Sequence, residues 1–185
     1  MAEPAPAPTP TPPLILAPAG SPSDPSILAH VQGVWDRIRP DSAIYGILLS
    51  EIRLVSAARG RVVALLDLAP VHLNSKRILH GAVSGTLCDW AGGMAIASTG
   101  ADRTGVSTDM HVSFVSPARE GDTLEIEAWV TRAGKSLGFT AFEIRKVVPA
   151  GSGAKASGAK GPVVASGSHT KYLSFYQPPP SNQSG

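Results

Sequence analysis

Leu79-His80-Gly81-Ala82-Val83-Ser84-Gly85-Thr86-Leu87-Cys88-Asp89-Trp90-Ala91-Gly92-Gly93 is small and apolar, and reads as a loop running into a buried helix. One carboxylate, Asp89, sits in its middle. A lone ionisable group on an otherwise apolar helix is costly to desolvate, so such a residue is paired, interfacial or catalytic. The helix begins at His80-Gly81, where a residue without a Cβ lets a ligand oxygen approach free backbone N–H groups. A carboxylate together with a helix-start oxyanion site suits acyl chemistry. Gly81 and Asp89 are eight residues apart, about 12 Å along a helix axis. That is too far for both to act on one carbonyl, so a second subunit must supply one of them if both are used.

Outward from this helix, the elements follow in series. Ser26 to Ile38 predicts a short amphipathic helix, with Ser26 as its cap and Ile27, Leu28, Val31, Val34, Trp35 and Ile38 as its apolar stripe; Pro40 ends it. Ile47 to Val55 and Arg61 to Leu68 predict strands joined at Ala58-Arg59-Gly60, and Val71 to Leu79 a connecting loop. The central helix spans Gly81 to about Thr99 despite four Gly, which mark close packing. Four strands follow. In the first, Val106, Thr108, Met110, Val112 and Phe114 alternate with Ser107, Asp109, His111 and Ser113. In the second, Leu124, Ile126, Ala128 and Val130 alternate with Glu125, Glu127, Trp129 and Thr131. The last two are Leu137 to Val148 and Val163 to Tyr172, separated by a Gly/Ala/Ser/Lys-rich excursion over 149–162. The class is α+β, and one antiparallel sheet wrapped around one long helix is the simplest way to bury that helix.

The 185 residues suit one domain. Residues 1–23 hold eight Pro and no Lys, Arg or His. Such a segment buries too little surface to offset its ordering cost, so 1–24 is expected to be a disordered arm. Residues 25–176 form the folded domain, and 177–185 a second disordered tail. No window reaches the length of a membrane span, and Leu14-Ile15-Leu16 is too short for a signal-peptide core. The single Cys88 permits no intrachain disulfide, which points to a cytosolic setting, with mitochondria the alternative. A net charge of +2 hints at anionic ligands but falls short of a nucleic-acid footprint. Cys88 lies inside the apolar helix, which reads as inert packing. The Gly-rich 151–161 segment lacks a phosphate-loop ending, the five His show no metal-ligand spacing, and no Gly-x-Ser-x-Gly elbow is present.

The run His80-Gly81-Ala82 with Leu87-Cys88-Asp89 resembles the HGG…LxD signature of hotdog-fold acyl-CoA thioesterases of the phenylacetate-degradation type. The stretches Gly105 to Phe114, Ser116 to Asp122, Gly134 to Thr140 and His169-Thr170-Lys171 match the same group in order, so the resemblance covers about Leu48 to Leu173. Ala82 stands where the motif has its second Gly, and the 149–162 excursion is longer than the pattern. The resemblance implies hydrolysis of acyl-CoA to a carboxylic acid and CoA, without metal or other cofactor. It casts Asp89 as general base or nucleophile, and the Gly81 N–H as the donor that polarises the thioester carbonyl. His80 would orient the loop, Asn74 would stand beside the carbonyl or water, and Ser107 would position water. Phe114, Arg132, Lys135, His169, Lys171 and Tyr172 fall at matched positions along the CoA path. It further implies a homodimer in which Asn74, His80 and Gly81 of one chain face Asp89 and Ser107 of the other, and dimers paired into tetramers. The alternative from another class is a non-catalytic acyl-CoA-binding scaffold of the same fold.

Overall fold

The long helix predicted over 81–99 is α3, Gly81–Ala97, in a computed structural model that describes residues 16–148 and 161–173. Its side chains are apolar nearly all round, which suits a helix enclosed by other elements. From Trp90 to Ala97 every residue is buried. The first two turns keep one open stripe, made of Gly81, Ala82, Gly85, Thr86 and Asp89. Gly92 and Gly93 explain how so glycine-rich a helix holds its place. A Cβ at Gly92 would lie 2.8 Å from Thr140 Oγ1, and one at Gly93 would lie 2.9 Å from Thr104 Cβ. Intrinsic helix stability, worth about 1 kcal/mol per glycine, is given up for close approach to the surrounding chain.

Six antiparallel strands curl around α3: β1 (Arg53–Ala58), β2 (Arg61–Asp67), β3 (Val106–Phe114), β4 (Thr123–Ala133), β5 (Leu137–Lys146) and β6 (Val163–Tyr172). Their order across the sheet is β1-β2-β4-β5-β6-β3. Leu124, Ile126, Ala128 and Val130 of β4 are buried toward α3, in the phase the alternation predicts. On the outer face of the sheet Arg61 pairs with Glu127 and lies over Trp129, 5.3 Å from the ring centroid. This is the hotdog arrangement that the resemblance implies. No helix among the described residues is long and apolar enough to cross a membrane.

Before the sheet comes α1 (Pro25–Ile38), which buries Val31, Val34 and Trp35. Its cap is Asp24 rather than Ser26. The Asp24 carboxylate accepts the N–H groups of Ser26 (2.9 Å) and Ile27 (3.3 Å), and Pro25 takes the first helical position, where no N–H is needed. The strand expected over Ile47 to Val55 is also corrected. Residues Ala43–Leu48 form a short helix, α2, and β1 begins only at Arg53. Ser42 caps α2 by accepting the Tyr45 N–H. Six residues cannot sustain a helix alone, and α2 leans on Trp35 through Tyr45, with ring centroids 5.6 Å apart.

The expected arm also ends sooner. Residues 16–24 lie along the β1–β2 hairpin, where Ala17 N–H donates to Arg59 O (2.8 Å) and Asp24 N–H to Ala57 O (2.7 Å). The earlier part of the arm, most of the 149–162 excursion and the 177–185 tail lie outside the described residues.

β3 departs from simple alternation. It closes one edge of the sheet, bonded to β6 on one side only. A bulge between Ser107 and Asp109 shifts the register by one residue. Ser107 therefore shares a face with Met110 and Phe114, although the alternation predicts opposite faces. That face meets the open stripe of α3. Within one chain it stays largely uncovered: Met110 is 46 % exposed and Phe114 65 %.

Candidate active site

Asp89 is where the chain concentrates its polar contacts. Its Oδ1 accepts from Lys171 Nζ at 2.7 Å and from Ser107 Oγ at 2.9 Å, and its Oδ2 accepts from Tyr45 Oη at 2.7 Å. The donors come from three elements, β6, β3 and α2. Burial by itself would raise the Asp89 carboxyl, but Lys171, Tyr45 and Ser107 together outweigh it and hold the group below its ordinary value of 3.8. Asp89 is therefore an anion at neutral pH, only half-buried and open to a cavity. The cavity, about 530 Å³, is lined by Ser42, Ile44 and Tyr45 of α2, by Ala82, Gly85, Thr86 and Asp89 of α3, and by Met110 of β3.

His169 and Lys171, matched to positions along the CoA path, are buried in this chain. Strand alternation turns both inward, toward α3, and their side chains are 1 % and 4 % exposed. The Lys171 ammonium is the counter-ion of Asp89. His169 Nε2 lies 3.8 Å from Asp89 Oδ1, beyond hydrogen-bond reach. Burial and then the neighbouring Lys171 push its imidazole down, so the ring is neutral. Cys88 is buried as expected, and burial lifts its thiol to about 12. A thiol held that high is no nucleophile at neutral pH.

Gly81 stands at the other end of the open stripe. His80, with extended backbone, caps α3, and its Nδ1 accepts the Ala82 N–H at 3.0 Å. Among the described residues no acceptor meets the Gly81 N–H. The ring of Phe114 lies close, 3.3 Å from where a Gly81 Cβ would be. Both line a second, smaller cavity with Ile78, Leu79, Ser84, Val115, Ser116, Pro117 and Val164. Asn74 shapes the loop before it. Its Oδ1 accepts the N–H groups of Lys76 (2.9 Å) and Ile78 (3.4 Å), an Asx turn that lets Arg77 adopt φ 58°. The loop is tied to α3 by His80 N–H, which donates to His72 O at 2.9 Å.

The chain thus brings Asp89, Ser107, Lys171 and Tyr45 together, with His169 behind them. Gly81 and Phe114 meet at a separate place beyond the His80 cap, and the Asn74 side chain turns back into its own loop. Arg132, Lys135 and Tyr172 are exposed at the β4–β5 turn and the end of β6, at the same end of the sheet as Ser107 and Lys171. Phe114, at the other end of β3, is remote from those three. Tyr45 escapes sequence reading because it precedes Asp89 by 44 residues, on a helix that alternation hides.

An antiparallel sheet around a helix that bears a buffered carboxylate and a free N-terminal N–H defines a hotdog protein built for acyl groups. The sequence pattern of the thioesterase superfamily matches residues 77–151. Human acyl-coenzyme A thioesterase 13 is 36 % identical over 126 residues, 68 % of this chain and 82 % of the relative. The crystal structure of zebra fish thioesterase superfamily member 2 superposes with a TM-score of 0.64 at 27 % identity, covering 83 % of this chain and all of that one. A Streptococcus pneumoniae hypothetical thioesterase solved with coenzyme A shares the fold, with a TM-score of 0.62 at 19 % identity over 76 % of this chain and 96 % of that one. The chain belongs to the thioesterase superfamily.

Proposed function

We propose that this protein hydrolyses acyl-CoA thioesters to carboxylic acid and CoA, at sites that each draw on two copies of the chain. The observation that carries this reading is the split between the ionised Asp89 and the free Gly81 N–H on one open face. Helix geometry separates them by about 12 Å. β3 runs past both and is an unpaired, apolar edge, a surface that calls for a partner strand. Antiparallel pairing of β3 with its copy about a two-fold axis lays the Gly81–Phe114 end of one protomer beside the Asp89–Ser107 end of its partner.

In such a site the Gly81 N–H of one protomer polarises the thioester carbonyl. Asp89 of the other takes a proton from water as it attacks. Oxygen adds to the carbonyl carbon, and the oxyanion forms against the helix start. The C–S bond then breaks, and CoA leaves as a thiol with the proton held by Asp89. Arg132, Lys135 and Tyr172 supply an exposed, partly cationic rim for the phosphates of CoA.

The test is release of free thiol from a panel of acyl-CoAs, short aliphatic to aromatic to palmitoyl, with light scattering of the same sample. Turnover by a dimer, or by dimers paired into tetramers, supports the reading. Tight acyl-CoA binding with no thiol released would make the protein a binding scaffold instead.

A further inference from the structure

The two oxygens of Asp89 are held unequally. Oδ1 carries both Lys171 and Ser107, whereas Oδ2 has Tyr45 as its donor. We propose that Tyr45 is a positioning residue for this site, its hydroxyl fixing the plane of the Asp89 carboxylate so that Oδ2 serves the cavity. The inference deepens the reading of Asp89 as base and rests on it. With donors on Oδ1 alone, the carboxylate keeps freedom to turn about its Cβ–Cγ bond. A donor on the second oxygen removes that freedom.

Tyr45 is well placed to impose an orientation because it is itself held at several points. Its ring lies 5.6 Å from Trp35, whose ring stands edge-on to Trp90 at 5.6 Å. Ser42 Oγ accepts its N–H, and its carbonyl accepts the Leu49 N–H at 2.8 Å. The far end of α2 is moored too. His72 Nδ1 accepts the Ala69 N–H, so Nε2 carries the proton and donates to Leu48 O at 3.0 Å. His72 O in turn receives the His80 N–H at the start of α3. One short helix therefore touches Asp89 directly and the Gly81 loop through His72. It also walls the cavity with Ser42 and Ile44.

The groups facing Asp89 are Lys171 and His169 from β6, Ser107 from β3, Tyr45 from α2 and its neighbour Cys88, with Asp109 of β3 acting on His169. A hydrogen bond donated to a carboxylate favours its charged form, so losing the Tyr45 hydroxyl must raise the Asp89 carboxyl.

The experiment compares the whole protein with Tyr45→Phe, which keeps the ring against Trp35 and removes only the hydroxyl. Two quantities are followed with pH: kcat/KM for acyl-CoA hydrolysis, and the Asp89 side-chain carboxyl ¹³C shift, assigned with Asp89→Asn. Both titrations should move up by about one unit, with kcat down roughly tenfold and KM unchanged. In the wild type, the Tyr45 ring Cζ shift should follow the same Asp89 titration, a measurement that needs no substitution at position 45. A carboxyl titration that stays put in Tyr45→Phe, or a Cζ shift flat through it, would overturn the proposal. If Asp89→Asn keeps its turnover, the base reading fails instead, and the ¹³C shifts still report whether Tyr45 grips the carboxylate.

Discussion

The two ends of the open face of α3 are built on opposite plans. At the Asp89 end one chain supplies everything the charge needs: an ammonium, two hydroxyls and a half-buried setting. At the Gly81 end it supplies a helix start whose N–H has no acceptor among the described residues, beside an exposed phenyl ring. An electrostatic centre can be completed within one chain because β3, β6 and α2 all converge on one turn of α3. Bringing a base to an electrophile-binding site about 12 Å away along the same rigid helix cannot be done that way. β3 spans both ends and is left bare, so symmetric pairing along it is the economical solution.

Substitutions at the two ends should separate these plans, and the largest effect belongs to the base. Asp89→Asn should lower kcat by at least ~10²-fold in thiol-release assays, with the dimer retained on size-exclusion chromatography. Near-normal kcat in folded protein would remove Asp89 from the chemistry. Lys171→Met should act through pH. After burial, which pushes the Asp89 carboxyl up, the next largest influences are the hydrogen bond and charge of Lys171, which hold it down, so losing the ammonium raises the carboxyl and moves the acidic limb of kcat/KM to higher pH. The sign for stability is the same. In the wild type the depressed carboxyl contributes stability present above its unfolded value and lost as pH falls through the lower folded one. Acid melts of Lys171→Met should show that contribution reduced.

Packing on α3 gives a smaller contrast between its closed and open faces. Gly92→Ala forces a Cβ within 2.9 Å of His169 Nδ1, behind Asp89, and should cost about 1–3 kcal/mol in thermal melts. Gly85→Ala meets nothing within 4 Å in its own chain and should not destabilise the protomer. Equal destabilisation by both would contradict the packing described for α3. The smallest effect is expected at the rim: Lys135→Ala should raise KM for acyl-CoA roughly twofold and leave kcat alone, as befits an exposed cation.

Much of this was legible in residue order. The helix from Gly81, the alternation of β4 and the glycines of α3 each follow from a local rule that packing then obeys. What escaped has physical reasons. Residues Ala43–Leu48 form an aliphatic run too short to show a helical period, and tertiary contact with Trp35 decides its conformation. The bulge after Ser107 flips the face of β3 without any glycine to mark it. His169 and Lys171 suggest a solvated surface by residue type, yet strand alternation turns them inward to meet the Asp89 carboxylate. The motif pointed to Asp89, Ser107 and Gly81; the counter-ion and the second carboxylate donor needed three-dimensional neighbours.

If each active site is shared between two chains, a mixing experiment restores activity from inactive parents. One variant carries Gly81→Pro, which removes the N–H donor. Proline suits the first helical position, and His80 already has the extended backbone that precedes proline. The other variant carries Asp89→Asn. Each should be inactive alone. Refolded together in equal amounts, about half of the dimers are hybrids, in which both defects fall in one site and the other site is intact. Activity should recover to roughly a quarter of wild type, assuming independent sites in a two-fold dimer. No recovery, with heterodimers demonstrated by native mass spectrometry, would place the whole site within one chain.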